Sequence, residues 1–454
     1  MPKSPLLIAA LLLSLALSAC GGGEEAPTAE TPTTGPVTID FWHPETAANL
    51  ETLERMVNRF NASQDEVRVR AFYQGNDQEL LTKLMASLGS GQVPAVALLA
   101  EVDAQRMVDS GTITPVQDFI NREDHDLSDL DEKAVQYYAV GGKLWGMPFC
   151  MDVPILYYNK LVFREAGLDA ERPPGDLEEL RRYSEKILKR DASGQLVRSG
   201  IALDVQDWTE RVLAEHGDLY VDKTNGRQAR ASKVLFDNDT SRWFFQWWND
   251  MVKEGLAVNV GRNPTYIEGF LAMASGRAAM VFSYSAALRS VVNALEEGVE
   301  GVEIGVGALP GVPGGQGTPL LLGRALWIFN LRPKDEQEAA WKFVRWLTEP
   351  EQQAEWFAGS GYLPVSRSAV EQPAAGEVIA RYPLFQVALD LYLKTPPTPA
   401  ALMPLLGPIR EVRETLNVAV EEMLSGSKDP AQALADAAAR SNRAIEEYNQ
   451  AVQE

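Results

Sequence analysis

The stretch PFCMDVPILYYNK, residues 148–160, decides how the chain is divided. Phe149, Val153, Ile155, Leu156, Tyr157 and Tyr158 give it the β-branched and aromatic bulk of a buried strand. Asp152 interrupts the apolar run, and prolines stand at 148 and 154. A carboxylate inside an apolar strand is costly unless hydrogen bonds or water meet it. The reading of the segment turns on where Asp152 finds its partner.

Toward the amino terminus, the chain reads strand, helix, strand, helix, strand. VTIDFWH (37–43) alternates, and ANLETLERMVNRFNAS (48–63) sets Leu50, Leu53, Met56, Val57 and Phe60 on one helical face. VRVRAFYQG (67–75) alternates again. QELLTKLMASLGSGQ (78–92) is a helix, and VPAVALLAE (93–101) is a short buried strand. This order predicts a mainly parallel sheet with helices on both faces. Ligands on such sheets bind at the carboxyl ends of the strands.

Toward the carboxyl terminus, the pattern changes. LEELRRYSEKILKR and SRWFFQWWNDMVKEG are amphipathic helices, and Trp243, Phe244, Trp247 and Trp248 read as core packing. AAMVFSYSAALRS is a strand entering a helix, and LLLGRALWIFN is a strand. EQEAAWKFVRWLTEPEQQAEWFAGSG is helical, broken near Pro350, and the last third is helical throughout. GVPGGQGTP (311–319) is a surface loop by composition, and no internal repeat stands out.

A chain of 454 residues exceeds one ordinary core, so two domains or lobes are expected. Its net charge of −21 lacks the basic footprint that nucleic acid requires and suits a soluble exported protein. MPKSPLLIAALLLSLALSAC opens with a lysine and an apolar run, Leu6 to Ala19, too short to span a bilayer. Residues 1–19 therefore read as a signal peptide. Leu17-Ser18-Ala19-Cys20 resembles a bacterial lipobox, which implies a lipid on Cys20. An ordinary secretory signal with an incidental cysteine is the alternative. GGGEEAPTAETPTTG follows as a tether with almost nothing to bury, so residues 20–36 form the link. Cys150 is then the single cysteine of the mature body, which excludes an intramolecular disulfide.

Familiar catalytic and metal signatures are missing from the sequence. His43, His125 and His216 stand at no metal spacing. There is no GxSxG elbow and no GxxxxGK[ST] phosphate loop. The Asp-rich runs DHDLSDLDE and FDNDTS lack the glycine and distal glutamate of a calcium loop and read as solvated surface. No metal or cofactor is expected.

FWH, RFNAS, YQGN, GKLWGMPF, PILYYNK with FREAGLD, GYLPVS and GPIR together resemble the extracellular solute-binding proteins of bacterial ABC importers. The resemblance is to the carbohydrate-type group, and within it to binders of glycerol 3-phosphate and glycerophosphodiesters, from about Val37 to the carboxyl terminus. It implies a two-lobe α/β fold of periplasmic-binding-protein type II, with the ligand clamped in the cleft between lobes. It also implies a first lobe of 37–149 and 282–358, a second of 150–281 and 359–454, and a first crossing near MPF–PILYYNK. Asp152 would then face the cleft; a carboxylate capping a local turn before Pro154 is the alternative.

The same resemblance places ligand contacts at Asp77, Glu101, Asp152, Val205, Trp208, Tyr284, Ser285, Gly323, Tyr362 and Arg410. Several depart from the family pattern. Asp77 replaces an aromatic, Asp152 replaces a phosphate-contacting serine, Val205 stands where a tryptophan walls the pocket, and Tyr284 replaces a serine. A carboxylate beside a phosphate dianion is repulsive by several kcal/mol inside a cleft. A glycerophosphodiester, held by Arg410, is therefore expected over free glycerol 3-phosphate, with a neutral di- or oligosaccharide as the alternative. The implied partners are the importer's permease subunits and the membrane through the lipid, with no nucleic acid, and the implied state is a monomer. An exported glycoside hydrolase is the remote alternative; it needs a nucleophile or acid–base pair at fixed distance, and among 63 acidic residues no pair stands out.

Overall fold

The computed structural model describes residues 35–206, 208–263 and 266–452. The expected signal peptide, Cys20 and nearly all of the tether lie outside the described residues.

β1 (Val37–His43), β2 (Val67–Tyr73) and β3 (Val96–Ala100) run parallel in the order β2-β1-β3. The helices Ala47–Ser63 and Asp77–Leu88 connect them, as the alternating pattern predicts. The first helix buries Leu53, Met56, Val57 and Phe60 and leaves Leu50 half-buried. The short β4 (Ile113–Thr114) and a hairpin of β5 (Ala139–Val140) and β6 (Lys143–Leu144) precede β7 (Met147–Asp152). β7 enters the first sheet antiparallel to its neighbours β14 (Leu322–Phe329) and β15 (Leu363–Pro364), and β14 also pairs with β3 and β4.

The second sheet contains β8 (Pro154–Asn159), β9 (Lys189–Arg190), β10 (Leu196–Val205), β11 (Ala257–Arg262), β12 (Ala278–Tyr284) and β13 (Ile304–Ala308). Its order is β11-β10-β12-β8-β13, with β9 beside β10. β11, β10 and β12 are parallel, while β8 and β13 pair antiparallel. Both sheets are therefore mixed. The strands are parallel where the chain winds through crossover helices. β8 and β14, which arrive directly from a strand of the other sheet, pair antiparallel with their neighbours.

Residues 148–160 turn out to be two strands in two sheets. Val153 alone separates the end of β7 from the start of β8, and both strands are wholly buried. The sheet memberships differ from the expected lobe boundaries. Cys150 to Asp152 stay in the first sheet; the helix Leu288–Glu296 packs on the first-lobe helices Ala47–Ser63 and Pro350–Ser360, so a crossing falls just after β12, near the expected boundary, but β13 returns to the second sheet and the chain crosses again after Ala308. β15 keeps 363–364 in the first sheet as well. Hydrophobic pattern marks a buried strand but carries no information on which sheet it joins.

The core follows the aromatic reading. Phe244, Trp247 and Trp248 are buried on the Asp239–Lys253 helix, with Trp243 half-buried. Two helices, Lys334–Leu347 and Pro350–Ser360, meet at the expected break. Among the described residues, no helix is long and apolar enough to cross a membrane.

Candidate ligand-binding cleft

A cavity of about 550 Å³ opens where the two sheets meet. The carboxyl ends of the parallel strands supply one wall. Glu45 follows β1, Asp77 is the first residue of the helix after β2, and Glu101 follows β3 directly. The loops that leave strands β1 to β3 thus bring three carboxylates to one rim, where the starts of the following helices favour negative charge.

Arg324 projects from β14 into this acidic rim. Its two terminal nitrogens bind the two oxygens of Asp77, the Nη2–Oδ2 contact being 3.0 Å. Its Nε donates to the Tyr362 hydroxyl at 2.8 Å and lies 3.1 Å from Glu45 Oε1. Burial raises the Asp77 carboxyl, but Arg324, Arg410 and Arg413 more than offset it, and its pKa ends below the ordinary value. Glu45 is raised, because burial outweighs its share of Arg324. Glu101 is pushed up to about 7 by burial, against the pull of Arg413.

Asp152 unites the two readings made of it. Its Oδ1 accepts from Ser285 Oγ at 2.5 Å, from the Ala286 N–H at 3.1 Å and from the Val153 N–H at 2.9 Å. The carboxylate thus ties the first crossing to the turn that enters the Leu288–Glu296 helix. It also lines the cavity. Burial raises its pKa to about 6 despite these donors.

The opposite wall is basic. Arg410 and Arg413 come from the Ile409–Leu424 helix, and Arg211 from Trp208–His216. Arg413 forms a fork on Glu210 at 2.8 and 2.6 Å. Arg410 forms a fork on Asp103, both contacts 2.8 Å, and its Nη1 reaches Gln78 Oε1 at 3.2 Å. Asp103 and Gln78 belong to the first lobe, so Arg410 spans the cleft.

Seven of the residues expected at the ligand line this cavity: Asp77, Glu101, Asp152, Tyr284, Gly323, Tyr362 and Arg410. Val205, Trp208 and Ser285 do not, and each lies one layer behind. Trp208 is buried, donates to Asp204 Oδ1 at 2.6 Å and stacks on Tyr284, ring centroids 5.8 Å apart. Val205 is the buried end of β10. Ser285 is spent on Asp152. A shift of one residue along a strand or helix start turns a side chain from cavity to core, and resemblance by position does not resolve that.

Arg324, Arg413, Arg211 and Glu45 were missed. The signal for Arg324 was present: a charge inside LLLGRALWIFN is as anomalous as Asp152 in its own strand. Arg413 lies three residues beyond Arg410, hence on the same helical face. Glu45 and Arg211 carry no comparable local mark.

The sequence profile of the bacterial extracellular solute-binding proteins matches residues 55–387. The chain belongs to that family. This solute-binding protein is 28% identical to the sn-glycerol-3-phosphate-binding periplasmic protein UgpB of Escherichia coli K12 over 453 residues, 98% of each chain. It is 28% identical to UgpB of Salmonella typhimurium LT2 over 423 residues, 91% of this chain and 94% of that one. Its fold matches UgpB from Mycobacterium tuberculosis in complex with glycerophosphocholine, with TM-score 0.74, 22% identity and coverage of 91% and 99%. It also matches the cyclic alpha-maltosyl-1,6-maltose binding protein of Arthrobacter globiformis, with TM-score 0.72, 24% identity and coverage of 91% and 100%. The solute-binding protein therefore has the expected two-lobe α/β fold, and it is the substrate-binding component of an ABC importer acting outside the cytoplasmic membrane.

Proposed function

We propose that this receptor captures a zwitterionic glycerophosphodiester, performs no chemistry on it, and hands it to the permease. The observation that carries the reading is the mixed sign of the cavity. Arg324, Arg410 and Arg413 all reach it, and each already faces a carboxylate. A phosphate dianion would meet no uncompensated cation and would lie near Asp152. A phosphodiester has a single negative charge to share among the arginine N–H groups. Its glycerol hydroxyls and cationic head suit Glu101, Asp152 and the faces of Tyr284 and Tyr362. The 28% identity to glycerol-3-phosphate-binding relatives supports the same chemical class.

A neutral saccharide is the second reading. Its support is the filled Arg410 fork, which leaves a balanced set of donors and acceptors suited to hydroxyls. Thermal-shift and calorimetric titration with glycerophosphocholine, glycerophosphoethanolamine, glycerol 3-phosphate and maltose separate the two. A bound ligand at a hundred times its Kd stabilises by about 2.7 kcal/mol. The diesters should bind at least tenfold more tightly than glycerol 3-phosphate. Asp152→Ser should narrow that gap, whereas Asp152→Asn, which keeps an acceptor, tests the loss of charge alone. Stabilisation by maltose alone transfers the conclusion to the saccharide. No shift with any solute overturns both.

The anchor belongs to the same proposal. Cys20, outside the described residues, would carry the lipid, and Cys20→Ser should move the receptor from the membrane fraction to the soluble one. Unchanged retention counts against it.

A further inference from the structure

The cavity continues past the charged groups into an apolar half. Ile267, Phe270, Val291, Ala294, Leu295 and Val299 line it, with Val302 and Ile304 beneath. Among the described residues, no charged side chain between 266 and 304 lines the cavity. The Leu288–Glu296 helix has two apolar faces: Leu288 and Val292 are buried in the core, while Val291, Ala294 and Leu295 face the cavity and are only half-buried. Ile267 is 50% exposed and Val299 37% exposed, so the stripe stays accessible to solvent along the side of the cavity.

Packing does not require this second stripe, and a contiguous exposed apolar surface next to a ligand seat marks a binding surface. Its chemistry narrows the occupant. The aromatic rings Tyr266, Phe270 and Tyr284 stand at the end of this half nearest the charged groups, while the stretch from Val291 to Ile304 is aliphatic and suits hydrocarbon. It is continuous with the arginine and carboxylate seat, so head and tail belong to one molecule. The cavity is sized for a drug-like ligand rather than a three-carbon one. From Ala287 to Leu295 the helix rises roughly 12 Å, the reach of a medium-length chain.

We infer that the ligand is a single-chain amphiphile, a glycerophosphodiester bearing one acyl chain, its head among the charged groups and its chain along the Ile267–Val299 groove. This rests on the polyhydroxyl head seat proposed above.

The test titrates the full-length protein with glycerophosphocholine and its 1-hexanoyl and 1-octanoyl derivatives below their micelle concentrations. Methyl, hexyl and octyl glucosides form a parallel series. Affinity should rise about three- to fourfold per buried methylene. Val299→Asp, at an exposed position, and Ala294→Trp should flatten that slope and leave the affinity for the bare head within twofold. Displacement of 1-anilinonaphthalene-8-sulfonate by the octyl compounds reads the groove even when no bare head binds. A bare head that binds with a flat chain series overturns the amphiphile and leaves the proposed function standing. Absence of bare-head binding with a steep, dye-displacing chain series overturns the proposed head and keeps the groove. A steep slope that neither variant changes puts the chain elsewhere and sinks the inference.

Discussion

The wall of the cleft built on the first sheet and the wall facing it neutralise their charges by different routes. On the first, Glu45, Asp77 and Glu101 arrive at the ends of three successive parallel strands, and Arg324 from a returning strand meets two of them. The compensation is internal to that lobe. On the second, the arginines come from helices nearly 200 residues apart in sequence, at 211 and at 410 and 413, and one of them finds its partner across the cleft at Asp103. The first wall is an ion cluster internal to its lobe; on the second, Arg413 is paired within its lobe on Glu210, while Arg410 takes its partner from the first lobe. The lesson is that a strand-end rule delivers the acids, while the bases depend on how the carboxy-terminal helices dock.

The largest expected effect breaks the first wall. Arg324→Ala leaves the buried Glu45 without its cation and the half-buried Asp77 without its fork, with Arg410 and Arg413 still acting on Asp77, so a loss near the low end of the about 3–5 kcal/mol for a broken buried pair is expected. Chemical denaturation should show a loss of that order. A loss below about 1 kcal/mol would mean that water reaches the cluster.

Next comes the pH response of Glu101. Its folded pKa of about 7 stands above the ordinary carboxyl value of 4.5. The folded state therefore holds the proton more tightly, and this stabilisation, full below pH 4.5, is lost as pH rises through 7. Glu101→Gln should remove that dependence and gain about 3 kcal/mol over wild type by pH 8, with the gain vanishing toward pH 4. Melting curves across that range check it, and a pH-independent difference rejects the buried-charge account.

Arg410→Lys tests the span across the cleft. Lysine keeps the charge but cannot copy a fork on Asp103, so about 1.5 kcal/mol should be lost. Small-angle scattering should also show a larger radius for the ligand-free variant. An unchanged radius would place the determinant of lobe approach elsewhere.

The smallest effect separates the layer behind the cavity from the cavity itself. Trp208→Phe removes the indole donor to Asp204 and keeps the ring behind Tyr284. About 1 kcal/mol of stability should go, with ligand affinity changed less than twofold. A large affinity change would return Trp208 to the ligand.

The division between what could be read and what could not runs through particular residues. The β1–β3 strand ends were legible because alternation locates the strands and the parallel topology says which ends face a cleft; Asp77 and Glu101 came from the family resemblance, and both line the cavity. Asp152 was legible because a charge in an apolar strand demands an explanation. Trp208, Val205 and Ser285 were misassigned by one layer, since their facing depends on the pitch of elements that share no local signal. The pairing of β13 with β8 was invisible for the same reason: a buried strand looks alike in either sheet.

By itself, the sequence determined the β1–β3 strands with their helices, the anomaly at Asp152, and a family resemblance that implied two α/β lobes, a first crossing near MPF–PILYYNK and a binding role. Local periodicity and local polarity suffice for the strands, the helices and the Asp152 anomaly, because each depends on neighbours within a few residues; the lobes, the crossing and the binding role came from the resemblance. Only the tertiary structure decided that Arg324 quenches Asp77, that Arg410 is committed to Asp103, and that the cavity has an apolar half. Those depend on side chains hundreds of residues apart coming within about 3 Å, where burial makes each charge's partner decide its energy.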